Sequence, residues 1–390
     1  LKNLYFILIL PILLLANIDS QFSDPKLCSA CHKDEYNSWK KSLHYKSHDS
    51  KNELYKASIN YVASHTNKLR EEILVECATC HNPKIEVVNM DQNYTFAKLF
   101  DIQTSKTKQI DEQIGADHLK NGVSCYICHR IDDIQEDKNR KYSIKWLHGN
   151  DIAGPFESSS RTEFHNTFQR EHFIKGDKLC LICHQGQGDN NKFGQYNTGK
   201  ETQASKTTKR CVDCHMGKPK EAVNAPHIAT NQAEVRIVRS HLFIGSQDKK
   251  LLEDTFNISF NQAQKKLIIE NKISHNVPTG FGGRMIEAKI FYIAKNKDII
   301  STQTVAFKAK YILANGKETL SYVANGLESD NRFKPFEKKE IALHPIKGAE
   351  QIKVAVYYHR ISPNLALDLG VIDGEFTDEK LMVERIFNLY

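Results

Sequence analysis

All ten cysteines of this chain are committed to one pattern. They fall in five copies of a five-residue motif: Cys28-Ser-Ala-Cys31-His32, Cys77-Ala-Thr-Cys80-His81, Cys125-Tyr-Ile-Cys128-His129, Cys180-Leu-Ile-Cys183-His184 and Cys211-Val-Asp-Cys214-His215. No thiol is left for a disulfide or a nucleophile. Two thiols separated by two residues lie on one side of a single helical turn, where each can add to one vinyl group of a haem, and the next residue then sits beneath the iron. A histidine there supplies the proximal imidazole. Zinc is the competing chemistry for Cys-x-x-Cys units, but five pairs do not close evenly into four-thiolate sites, and zinc has no need of a histidine after every pair. A thioredoxin-like redox motif shares the cysteine spacing but not five copies each followed by histidine. The reading is five covalently bound haem c groups, with the ten cysteines as attachment points and His32, His81, His129, His184 and His215 as iron ligands.

The motifs begin at 28, 77, 125, 180 and 211, so their spacings are loose and unequal. That excludes a solenoid repeat. It describes short helices carrying each motif, joined by loops that wrap successive cofactors; Asn121-Gly122, Gly154-Pro155 and the polar stretch 186–208 read as turns or loops. A chain of 390 residues is long enough for more than one domain. Its hydrophobic fraction of 40% is modest, as expected where porphyrin fills part of the interior.

Lys2, the apolar run Leu4 to Leu15 and the small-polar stretch Ala16 to Ser20 have the order of a secretory signal over 1–20. The run is short for a bilayer and holds Pro11, and an uncleaved anchor is the competing reading. Haem c is attached outside the bacterial inner membrane, so the expectation is a periplasmic protein, soluble or peripheral to the membrane, and membrane-anchored if the signal is uncleaved. The formal charge of +7 comes from lysine and arginine scattered among acids, which argues against nucleic acid. Each ferric haem adds about one net negative charge through its propionates, and five bring the total to about +2.

Seventeen histidines exceed what five proximal positions need. Nine of the others lie between 24 and 245: His44, His48, His65, His118, His148, His165, His172, His227 and His241. This surplus points to bis-histidine ligation. The stretch Cys28 through Trp39 and Ser42 to His44 resembles the entry segment of the cytochrome c-552/4 domain family, which includes a nitrifier tetrahaem cytochrome. In that family a histidine at the place of His44 ligates a haem other than its sequence neighbour. His118, ahead of Gly122-Val123-Ser124-Cys125, is similar to a segment before another haem. Gly154-Pro155-Phe156 through His165 to Leu179 also resembles these proteins, with His165 and His172 as ligand candidates. Arg239-Ser240-His241-Leu242-Phe243-Ile244-Gly245 resembles their closing element, with His241 as a distal ligand. The likeness spans roughly residues 24 to 245. The chain departs from it in carrying five motifs rather than four, so no haem-by-haem ligand pairing transfers. It lacks the Cys-x-x-Cys-Lys motif of pentahaem ammonia-forming nitrite reductases. Met216, Trp39 and Trp146 read as packing beside haem.

Beyond residue 250 the motifs stop and alternation begins. Residues 256–260, 266–269, 286–294, 299–312 and 351–358 read as strands, with Asn315-Gly316, Asn325-Gly326 and Asn296-Lys297-Asp298 as reversals. About seven short strands without a long intervening helix suggest a sandwich. Ser274 to Gly280, with Arg284, and Asp330 to Pro335 look like parts of β-sandwich tails on some multihaem cytochromes. His275 has two readings, an iron ligand and a loop side chain packed on the first domain; the sequence favours the second. His344 and His359 read as sheet-surface residues.

The expected fold class is therefore α+β: a mostly helical, loop-rich multihaem cytochrome domain over 21–248, followed by an antiparallel β-sandwich over 249–390. Two function classes remain. One is an electron carrier between redox protein partners, such as a quinol-oxidising or other cytochrome c system and a terminal reductase or oxidase. The other is an oxidoreductase acting on a small nitrogen or sulfur oxyanion or hydroxylamine at one five-coordinate haem. A surface module with haems for anchoring to a larger assembly is a third reading without a sequence feature of its own.

Overall fold

The computed structural model describes residues 24–84, 90–136, 142–157, 164–185, 197–223, 225 and 234–390. The expected leader at 1–20 and His227 lie outside the described residues.

Each Cys-x-x-Cys-His motif occupies a helical turn, which follows from its spacing: positions i and i+3 share a face and i+4 completes it. The first motif begins in Lys26–Ser29 and is continued by the bond from His32 N to Cys28 O, 2.8 Å. The second forms the last turn of Arg70–His81, the third is Cys125–His129, the fourth ends Asp177–His184 and the fifth is Cys211–His215. These helices are mostly too short to be stable alone. An apolar cluster of Tyr55, Ile59, Ile73, Leu74, Tyr94, Ile110 and Ile114 in this half joins Glu53–Ser64 and Arg70–His81 to the hairpin of Gln92–Leu99 and Ser105–Ile114. Asn52 caps the first of these helices by accepting from Tyr55 N at 2.8 Å.

This half also contains three two-stranded ribbons that the sequence reading missed. Ile131–Glu136 pairs antiparallel with Tyr142–Trp146, Asp151–Gly154 runs parallel to Asn166–Gln169, and Lys220–Val223 pairs antiparallel with Val235–Val238. They are four to six residues long and partly exposed, so their alternation is weak.

The C-terminal half has an aliphatic core. A four-stranded antiparallel sheet runs in the order Ile299–Phe307, Met285–Ala294, Ala349–His359, Lys380–Asn388. A second, ordered Lys338–Ala342, Lys266–Asn271, Phe256–Asn261, shares its core. Ile286, Ala288 and Ile290 alternate inward from Met285–Ala294, and Leu267 and Ile269 from the facing sheet; all five are fully buried. The run 299–312 is two strands, because Lys308 turns a corner and Ala309–Ile312 enters a third sheet between Glu318–Thr319 and Gly326–Asp330. Asn315-Gly316 and Asn296 to Asp298 do turn, with Gly316 and Lys297 at φ 81° and 69°.

The halves meet along Glu53–Ser64. Tyr61 packs in one cluster with Leu320, Ile361, Leu365, Ala366, Val371 and Phe376, and its Oη lies 2.9 Å from Thr319 Oγ1. Lys46 bridges to Glu375 at 2.8 Å, and the Glu53 carboxylate accepts from the backbone of Asp373 at 2.7 Å.

Candidate haem sites

A continuous cavity of about 2560 Å³ runs through the molecule, against ~300–1,000 Å³ for an ordinary ligand pocket. All ten motif cysteines and all five motif histidines line it, together with His44, His165, His241 and His275. Four imidazole pairs face each other across it. The ring centres of His32 and His165 are 6.3 Å apart, those of His44 and His184 6.2 Å, those of His129 and His241 6.2 Å, and those of His215 and His275 6.3 Å. With a metal–nitrogen bond of about 2 Å and a ring centre about 1 Å behind the nitrogen, two imidazoles facing across one metal ion put their centres about 6 Å apart. The residues present therefore fit iron held between paired histidines.

The ring hydrogen bonds agree. Nδ1 of His129 faces Ala153 O at 2.8 Å, Nδ1 of His215 faces Ile244 O at 2.7 Å, and Nδ1 of His275 faces Asn276 O at 2.8 Å. A proton held at Nδ1 leaves the Nε2 lone pair for a metal. Desolvation inside the protein pulls His44 down to about 3, and His81, His129, His184 and His275 to about 4, so these rings are neutral near pH 7. Their unfolded value is near 6.5, so the unfolded chain binds more protons between pH 6.5 and 4. The associated stability is full above pH 6.5 and is lost as pH falls through about 4. Thermal midpoints measured from pH 7.5 to 4 are expected to fall steeply below 6.5, with low-spin absorbance lost in the same window; a flat profile would contradict buried neutral rings.

The distal side chains are held from distant parts of the chain. Val123 N donates to His44 O at 3.0 Å, Trp39 Nε1 donates to Val123 O at 2.8 Å, and Ser47 Oγ lies within 3.0 Å of the carbonyls of His44 and His81. The closing element serves three motifs at once. It carries His241, places the Phe243 ring 4.4 Å from that of His44, and offers Ile244 O to His215. Arg239 fixes its start by an ion pair to Asp213 at 2.7 Å. The loop of His275 is clasped by Glu201, whose carboxylate accepts from Asn276 N at 3.2 Å and Thr279 Oγ1 at 2.6 Å and faces Arg332 at 3.3 Å. Arg284 Nη1 donates to Thr279 O at 2.6 Å on the same loop.

His81 differs from the other four. Its ring stacks on Tyr55 at 4.0 Å and 5°, too close for an ion between the two, and its buried Nδ1 has no hydrogen-bond partner among the described residues. No described histidine ring stands opposite it at the distance seen in the four pairs.

The structure does not bring His118 or His172, both ligand candidates from the sequence, to a proximal ring. His118 is exposed on the turn Asp117–Asn121, and His172 packs its ring on Phe173 at 4.9 Å; neither lines the cavity or faces a proximal ring. The reason is local geometry: a helical ring points where its helix face points, and the turn of His118 presents that face to solvent. His275 stands where the sequence reading put a packing residue. The signal that could have found it is its place just after the strand Lys266–Asn271, on a loop that reaches back toward the first half. Trp39 and Met216 do line the cavity, whereas Trp146 does not.

Cysteine attachment turns on helices, a shared apolar interior and facing imidazoles define a multihaem c-type cytochrome with covalently bound haem. Residues 27–130 match the family described as cytochrome c554 and c-prime. The fold is similar to that of a penta-heme cytochrome c552 from Thermochromatium tepidum, with a TM-score of 0.69 at 16% identity over 93% of this chain and 98% of that one. No curated protein matches the chain.

Proposed function

We propose that this chain is a periplasmic pentahaem electron carrier, with bis-histidine iron at four of its five motifs. The observation that carries the reading is the set of four imidazole pairs at 6.2–6.3 Å within one cavity. Haem bound at these motifs supplies a one-electron couple whose potential follows its axial ligands and burial. The protein's part is to fix those ligands and exclude water. His32 with His165, His44 with His184, His129 with His241 and His215 with His275 would close both axial positions, leaving no room for substrate there.

The order of the motifs in space supports a continuous path. Thiols from different motifs lie beside one another: Cys28 by Cys125, Cys80 by Cys183 and Cys180 by Cys211, with Cys128 close to Cys180. This places the fourth motif between the second, third and fifth. The first, second and fifth motifs are its three ends, each beside a single neighbour. Export rests on the expected leader and on the compartment of haem c attachment; among the described residues no helix is long and apolar enough to cross a membrane.

The His81 motif favours a second reading, small-molecule chemistry at one haem, because no described histidine opposes that ring. The test is haem content per chain together with electron paramagnetic resonance of the ferric protein, before and after nitrite or hydroxylamine. The expected result is five irons, four low-spin and indifferent to both reagents, and one that responds. Binding without turnover leaves the carrier reading in place. Turnover of either reagent would promote the second, and two or more responsive irons would overturn the ligand assignment.

A further inference from the structure

The fifth motif differs from the rest at the protein surface. Of the ten motif cysteines, Cys214 is the exposed one. From Lys206 to Lys220 the chain carries five basic residues and one acid, Asp213. That acid is already engaged, with Arg210 at 3.0 Å and Arg239 at 2.7 Å. Lys206, Lys209, Lys218 and Lys220 are exposed and make no ion pair among the described residues. Beside them, the antiparallel register puts Val223, Val235 and Ile237 on one face of the ribbon with Glu221; Val223 and Val235 are exposed away from the cavity, and Glu234 next to Val235 is already paired with Arg236.

We propose that Lys206, Lys209, Lys218 and Lys220 form a docking collar around Cys214 through which an acidic redox protein exchanges electrons with the fifth motif. The proposal rests on the electron-carrier reading. Vinyl and propionate groups occupy opposite sides of a porphyrin, so basic residues flanking the attachment cysteines sit at the thioether edge and are not placed to neutralise propionates. Four uncompensated cations there attract an acidic surface and speed encounter without needing tight binding. Val223 and Val235 give the patch an apolar element, as transient interfaces have. The position suits the task, because the fifth motif is one of the ends of the path and its Cys214 is exposed.

The test is voltammetry of the full holoprotein on gold coated with a carboxylate-terminated monolayer, which presents an acidic surface. Three proteins are compared: wild type, the variant K206E/K209E/K218E/K220E, and a charge-matched control, K295E/K297E/K334E/K347E, which alters exposed lysines of the C-terminal half. At salt on the order of 10 mM, the collar variant is expected to exchange electrons about 10-fold or more slowly than wild type, with the difference closing at high salt. The control should stay within about two-fold. Equal slowing in both variants, or in neither, overturns the collar. Sedimentation with phosphatidylglycerol vesicles is run in parallel: wild-type binding that the collar variant loses would assign the patch to a lipid surface and overturn a protein partner. The charge passed per adsorbed molecule reads the carrier reading separately. Five connected haems empty in full at wild type, whereas exchange confined to one haem fails the carrier reading whatever the variants do.

Discussion

Replacing His275 by alanine is expected to convert one low-spin iron into a high-spin one, leaving the haem count and the other centres unchanged. His275 faces His215 at 6.3 Å and keeps its Nδ1 on its own loop at Asn276 O. Removing the ring therefore opens one axial position without dismantling the loop, which Glu201, Thr279 and Arg332 still clasp. The readout is the ferric electron paramagnetic resonance spectrum, with reductive titration as a second measure because axial ligand identity sets haem potential. H165A, H44A and H241A should each do the same at another motif. H118A and H172A should leave every spin state as it was, since neither ring faces a proximal imidazole. A spin change in H118A with none in H275A would reverse the ligand assignment.

The second large effect is expected at Gly122. Its backbone is at φ 56° and ψ −138°, a region that side chains with a Cβ rarely enter. A Cβ there would meet Ser47 Oγ at 2.5 Å and His44 O at 2.6 Å, where no room exists. Backbone strain alone costs roughly 1–3 kcal/mol, and the clash adds to it. Gly122→Ala should therefore lower stability by about 3 kcal/mol or more. Because the displaced atoms belong to the His44 segment, the damage should also appear at the fourth motif. Thermal unfolding and the low-spin count check the two parts together. A lowered midpoint with all low-spin centres retained would separate Gly122 from ligand placement.

The two halves of the molecule were legible to different degrees. Strands 256–260, 266–269, 286–294 and 351–358 could be read because each buries every second residue in an aliphatic core, and burial writes a period of two into the sequence. Strands Gly326–Asp330 and Lys380–Asn388 were missed for the opposite reason: the first has no buried residue and the second buries only two. In the first half there is little alternation or helical periodicity to read, since many of its residues line a cavity and not an aliphatic core.

The five Cys-x-x-Cys-His motifs, their reading as haem attachment points and the α+β class needed nothing but the sequence, because covalent haem attachment is a local event fixed by residue type within one helical turn. The histidines proposed as distal ligands needed the tertiary structure. His165, His241 and His44 are paired with motifs 133, 112 and 140 residues away from them, and His275 with one 60 residues away. A coordination bond depends on where two rings meet in space and leaves no spacing in the chain. His118, exposed on its turn, and His275, aimed at His215, are alike in composition and opposite in placement, and only packing separates them.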